Sequence, residues 1–133
     1  MQRISTNSLW EERSGYSRAV VAGGLVFISA TAATDSSGAV VGKGDVYTQT
    51  RMILDKLAAV LIEANSALDR VVQTRVYITD ISLWEEVGRA HGETFAGHRP
   101  ALSMVHVKPF VDSDMLVEIE MVASTELVAS VSG

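Results

Sequence analysis

The sequence predicts an α+β fold, a single domain of order β-β-α-β-α-β-β with a mixed sheet and two helices on one face. Three observations predict it. Apolar residues recur at helical spacing in two stretches only, around 46–64 and 84–95. Five short runs rich in branched and aromatic residues read as strands, and the strand-helix-strand order demands some parallel pairing within the sheet. At 133 residues the chain has length for one domain, burying roughly two-thirds of its unfolded surface. Residues 1–124 are assigned to that domain and 125–133, where signals are weak, to a loosely held tail.

The first two strands flank Gly23-Gly24, which reads as a hairpin turn between Ala19–Ala22 and Leu25–Ser29. Asp35-Ser36-Ser37-Gly38 marks another turn, and Gly42-Lys43-Gly44 leads to Asp45, an N-cap. From Val46 to about Ala64 the residues Ile53, Leu54, Leu57, Val60, Leu61 and Ala64 form one apolar stripe. Asn65 supplies a left-handed end, and Val71 to Ile78 is a strand. Ser82 and Glu85 predict a capping box for a helix ending near Gly97, with Val87, His91 and Phe95 on its buried side. After the break at Arg99-Pro100, Leu102–Lys108 and Met115–Ala123 predict a final hairpin turning over Pro109–Asp114.

Two helices cover one sheet face, yet Leu25, Val26, Phe27 and Ile28 are apolar on both sides of their strand. A continuous apolar strand belongs in a sheet buried on both faces, so a second copy of the chain is expected to cover the other one. The 11 Lys+Arg and 16 Asp+Glu give a net charge of -5 without a basic block, which disfavours nucleic acid. Cysteine is absent, excluding disulfides and thiolate chemistry. The longest apolar run, Ala19–Ala33, is shorter than the roughly 20 residues that span a bilayer, and the protein is read as cytoplasmic and membrane-free.

Several motifs fail on inspection. Gly42-Lys43-Gly44 lacks the third glycine of a dinucleotide loop and places Asp45 where a pyrophosphate would sit. Gly15-Tyr16-Ser17-Arg18-Ala19 precedes a strand, the reverse of a nucleophile elbow. His91 and His98 lie two helical turns apart, about 10 Å, too far for one metal ion. No metal and no cofactor are expected.

What survives is a set of polar groups. Glu118 and Glu120 share one face of the last strand, where a solvated surface is the competing reading. The expected hairpin puts His106 opposite Glu118 and Met104 opposite Glu120, an arrangement suited to general base chemistry. A solvent-wet edge histidine is the commoner alternative for His106. Tyr16-Ser17-Arg18 is either a ligand contact or a plain strand-entry loop, and His91 is read as a core histidine.

These segments carry a resemblance. Gly15-Tyr16-Ser17-Arg18-Ala19-Val20, Gly24–Ser29, Gln49-Thr50-Arg51, Val71–Asp80, Arg99-Pro100-Ala101 and Val117-Glu118-Ile119-Glu120 are similar in order and spacing to the Rid family, also called YjgF. The resemblance implies a chorismate-mutase-like fold, a homotrimer with ligand clefts between subunits, and cofactor-free hydrolysis of reactive imines and enamines to ketoacids and ammonia. It also implies that a carboxylate of the last strand, matched here to Glu120, orients water; the shared strand face of His106 and Glu120 adds the expectation that His106, which stands where the family commonly has Glu, shuttles protons. Tyr16, Ser29, Leu102, Met104 and Glu118 are then expected to line the substrate cleft.

The family's carboxylate-clamping Arg is missing, since Leu102 follows Pro100-Ala101. That substitution removes charge-assisted hydrogen bonds worth roughly 1.5–3 kcal/mol each. Ala30, Gly88, Met104 and His106 depart from the usual residues as well, and the segment 84–93 resembles a branch lacking the Arg. Arg75 is read as half of an inter-subunit ion pair before a replacement cation. The expectation is an imine or enamine deaminase with an altered pocket. The alternative is a non-catalytic small-molecule-binding trimer, and an endoribonuclease, the family's older name, ranks third.

Overall fold

A computed structural model describes residues 1–126. One sheet holds six strands: β1 (Gln2–Ile4), β2 (Ala19–Ala22), β3 (Leu25–Ala32), β4 (Val71–Ile78), β5 (Ala101–His106) and β6 (Val117–Ser124). Its order is β1-β2-β3-β6-β4-β5. Only β4 and β5 run parallel among these pairs. The long helices α2 (Val46–Glu63) and α3 (Trp84–Thr94) pack on one face, as predicted, and a short α1 (Leu9–Ser14) precedes β2. The expected tail at 125–133 lies almost wholly outside the described residues.

Local chemistry explains most of the elements. Gly23 and Gly24, at φ 60° and 77°, supply the left-handed pair that a two-residue hairpin turn requires. Asp45 caps α2 by accepting from the Thr48 amide at 3.0 Å, and Asn65 adopts φ 60° just past its end. The stripe of Ile53, Leu54, Leu57 and Leu61 is buried against Val26, Ile28, Val76, Ile119 and Met121. Along β6 the burial alternates, with Val117, Ile119, Met121 and Ala123 facing the helices and Glu118 and Glu120 turned away.

Three expectations are corrected. There is no hairpin between β5 and β6: β6 inserts between β3 and β4, while β5 pairs with β4 at the sheet edge. A parallel partner on β4 satisfies the β5 backbone, so adjacency in sequence does not become adjacency in space. Ser82 and Glu85 form no capping box, because Asp80 accepts from the Ser82 amide and hydroxyl and a short 3₁₀ turn enters α3 without a side-chain cap. Finally, β1 and α1 were not foreseen. Three and six residues are too few for a period to register.

Candidate functional site

The register decides which predicted residues meet. Arg75 pairs with Glu120 and Tyr77 with Glu118 on the helix-free face. Leu102, Met104 and His106 pair with Thr74, Val76 and Ile78, whose side chains are buried under the helices. Paired residues of a ladder point to the same side. His106 and the two glutamates therefore lie on opposite faces, and the expected His106–Glu118 contact does not form. His106 is exposed and reaches only the Thr79 carbonyl, at 3.3 Å.

The two carboxylates differ sharply. Glu120 Oε1 accepts from Arg75 Nη1 at 2.9 Å and from the Tyr77 hydroxyl. The same bond pushes the Tyr77 hydroxyl above its ordinary acidity range. Glu118 receives no hydrogen bond or ion pair from the described residues and stands in the wall of a cavity of about 460 Å³. Burial raises its carboxyl above the ordinary value, and the Arg18 charge pulls in the other direction.

That cavity curves around the end of β3. Tyr16, Arg18, Ala30 and Thr31 form its floor, Trp10 and Lys56 come from α1 and α2, and Phe110, Val111 and Met115 supply apolar surface from the loop before β6. A bulge between Ile28 and Thr31 is what frees Ala30 from the β3–β6 ladder. Tyr16 lines this cavity. Ser29 does not: its hydroxyl donates to the Ser17 carbonyl at 2.8 Å and ties the two strands together. Leu102 and Met104 also lie away from the cavity of their own chain, Met104 packing against the core.

Arg18 is held by a buried frame. It is 7% exposed, its Nε lies 3.5 Å from the Glu11 carboxylate, and its Nη1 donates to the Ala30 carbonyl and Thr31 Oγ1. Glu11, 4% exposed, accepts in turn from Ser5 Oγ, the Thr6 amide and Thr6 Oγ1. Burial by itself would raise its carboxyl, but the Thr6, Ser8 and Ser5 hydrogen bonds outweigh it and hold the pKa at about 2. The sequence carried a signal for this frame in Ser8-Leu9-Trp10-Glu11, an S-x-x-E helix start that was not read. Ser8 does cap α1 through the Glu11 amide, but the Glu11 side chain turns to Ser5 and Thr6.

Lys56 donates to the Ala32 carbonyl, the Thr34 carbonyl and Thr34 Oγ1, so all three ammonium hydrogens are engaged. Burial, followed by repulsion from Arg18, lowers its pKa. Elsewhere His91 is the core histidine expected, bonded through Nε2 to Thr74 Oγ1 at 2.8 Å. Among the described residues no three His, Cys, Asp or Glu side chains cluster so as to hold a metal, and no helix is long and apolar enough to cross a membrane.

Comparison with known proteins follows the same outline. Residues 7–125 match the Endoribonuclease L-PSP family. The uncharacterized protein SCO2049 of Streptomyces coelicolor is 34% identical over 92% of this chain and 91% of its own. The crystal structure of Rv2704 from Mycobacterium tuberculosis, described as a YjgF/YER057c/UK114 family member, superposes with a TM-score of 0.83 at 39% identity, covering 92% of this chain and 98% of that one. The structure of E. coli TdcF with bound serine aligns with a TM-score of 0.74 at 26% identity, over 82% and 87% of the two chains.

Proposed function

The chain belongs to the Endoribonuclease L-PSP family, to which Rid and YjgF proteins are assigned, and on that premise we propose that it hydrolyses a reactive imine or enamine to a 2-oxo acid and ammonia. The observation that carries the reading is Glu118, a carboxyl without a partner among the described residues, desolvated in the wall of a ligand-sized cavity. In its carboxylate form Glu118 takes a proton from water as the water oxygen attacks the C=N carbon and the π pair moves to nitrogen. The protonated carboxyl then returns that proton to nitrogen. Glu118 next carries the hydroxyl proton of the resulting carbinolamine to the nitrogen, the C–N bond breaks with its electron pair on nitrogen, the freed oxygen pair closes the carbonyl, and ammonia leaves. An enamine first takes a proton on carbon and gives one up from nitrogen, which makes it the imine. Glu120, engaged by Arg75 and Tyr77, is less suited to this work than expected, and His106 faces away from it.

The reading includes a homotrimer in the cytoplasm. Phe27, 47% exposed on the helix-free face, supports assembly. Leu102 sits on β5, three strands from β3, so at about 4.8 Å per strand its expected place in the cleft requires another copy. The serine in E. coli TdcF supports an amino-acid-like ligand for this shape of protein. The second reading, a binding module without turnover, is favoured by Leu102 in place of Arg and by the apolar walls at Trp10, Phe110 and Met115. Cleavage of RNA fits poorly with the net charge of -5.

The test is ammonia release from 2-aminoacrylate generated in situ, with the unmodified chain, Leu102→Arg and Glu118→Gln. Release by the first and its loss in Glu118→Gln are expected. Release only with Leu102→Arg favours the binding module, and no release from either argues against imine chemistry.

A further inference from the structure

We propose that Nη2 of Arg18 and the hydroxyl of Tyr16 form a two-donor clamp for the carboxylate of a 2-oxo or 2-imino acid with a large apolar side chain, taking over the task left vacant by Leu102. The proposal deepens the reading above by naming the substrate class of the same cavity, and rests on it for the location of the site, not for turnover.

A guanidinium carries five hydrogens. One edge of Arg18, at Nε, faces Glu11 at 3.5 Å, and Nη1 has two acceptors, the Ala30 carbonyl at 3.0 Å and Thr31 Oγ1 at 2.8 Å. Nη2 donates to the Tyr16 hydroxyl oxygen at 3.4 Å, which leaves its second hydrogen without an acceptor among the described residues. Tyr16 accepts that bond, so its own hydroxyl hydrogen is also unclaimed among them. Two adjacent donors therefore converge on one place in the cavity wall, and a carboxylate is the group whose two oxygens take both.

The surroundings favour an anion and an apolar body. Glu11 occupies only the Nε edge of the guanidinium and, through its own hydrogen bonds, fixes where the other edge points. Lys56 adds positive potential without competing for the ligand, its three hydrogens being used on Ala32 and Thr34. Trp10, Phe110, Val111 and Met115 give the rest of the cavity an apolar wall. With about 460 Å³ available, an aromatic or branched side chain fits far better than the methylene of 2-aminoacrylate. Glu118 lines the same cavity as the two donors.

The probe is phenylpyruvate, with its methyl ester as the uncharged twin, titrated calorimetrically into the unmodified protein. The acid is expected to bind about tenfold tighter than the ester or more, as loss of a charge-assisted bond implies. Tyr16→Phe reduces that preference about tenfold, and Lys56→Met leaves most of it. Arg18→Gln abolishes it where circular dichroism shows the variant folded; where it does not fold, Tyr16→Phe and Lys56→Met decide. Equal binding of acid and ester, binding of neither, or a preference lost in Lys56→Met and kept in Tyr16→Phe overturns the proposal. Ammonia release is measured separately: its absence beside an intact acid-over-ester preference sinks hydrolysis and leaves the clamp standing.

Discussion

Arg75 Nη1 and Glu120 Oε1 meet at 2.9 Å across the β4–β6 pair, and the Tyr77 hydroxyl closes on the same oxygen. Two residues earlier on the same strand, Glu118 has no such company among the described residues. One carboxylate is committed to holding the sheet surface; the other is available for a ligand.

Exchange of each glutamate for glutamine separates these roles. Glu118→Gln is expected to lower turnover by about 10²–10⁴-fold, the usual range for a lost acid-base group. Glu120→Gln costs less than about tenfold, since a half-exposed ion pair contributes about 0–1 kcal/mol. Equal losses in kcat for the two variants would contradict the division. Thermal melts give a second check: burial raises the Glu118 pKa, so its ionisation opposes folding at neutral pH. Glu118→Gln therefore raises Tm at pH 7 while it removes activity.

Glu11 predicts an acid limb. Its folded pKa of about 2 lies below the ordinary 4.5, so it stabilises the native state fully above pH 4.5 and loses that contribution as pH falls toward 2. Glu11→Gln is expected to flatten the stability profile over that window and to cost about 3 kcal/mol at pH 7, leaving Arg18 buried without its counter-charge. Urea unfolding at pH 3, 5 and 7 measures both effects.

His91 acts in a higher window. Burial lowers its pKa below 6.5, so the unfolded chain takes up the proton first and stability falls as pH drops below 6.5. His91→Gln should remove this slope at a cost of about 1 kcal/mol for the altered bond to Thr74. An unchanged slope between pH 7 and pH 5 in that variant would assign it to another group.

Phe27 tests the assembly. It is 47% exposed on the helix-free face, next to Val122. Light scattering after size exclusion is expected to give a trimer mass for the unmodified chain and a monomer mass for Phe27→Asp, whose circular dichroism stays native because the side chain lies outside the core. A trimer mass retained in the variant would clear this face of the role.

Hydrophobic periodicity made α2, α3, β4 and β6 readable, because each buries one stripe or one face against the rest. Turn chemistry made Gly23-Gly24, Asp45 and Asn65 readable, since φ above zero and amide capping select few residue types. Strand order was another matter. Nothing in the alternation of Val117, Ile119 and Met121 states which neighbour the strand has, and the plausible hairpin with β5 carried His106 to the wrong face. The cavity was half legible: Tyr16 and the Glu118–Glu120 pair were singled out, but which carboxylate is free depends on Arg75 and Tyr77 facing Glu120 across the sheet. Arg18 was read with Tyr16 and Ser17 as either a ligand contact or a strand-entry loop; its buried frame was not legible, because its partners Glu11 and Ala30-Thr31 come from two other stretches of chain.

The placement of β6 bears on the order of assembly. Among the described residues it is the last strand in sequence, yet it alone joins the β1-β2-β3 meander to the parallel β4–β5 pair. Until it arrives, no ladder hydrogen bond connects those two groups, and a parallel pair with one partner strand is a weak intermediate. The closing event brings together residues as distant as Leu25 and Ser124, the kind of long-range contact that slows folding toward the millisecond-to-second range. The strand that presents Glu118 is thus also the one whose insertion completes the described sheet, so a chain with that sheet unfinished lacks the cavity wall that Glu118 supplies.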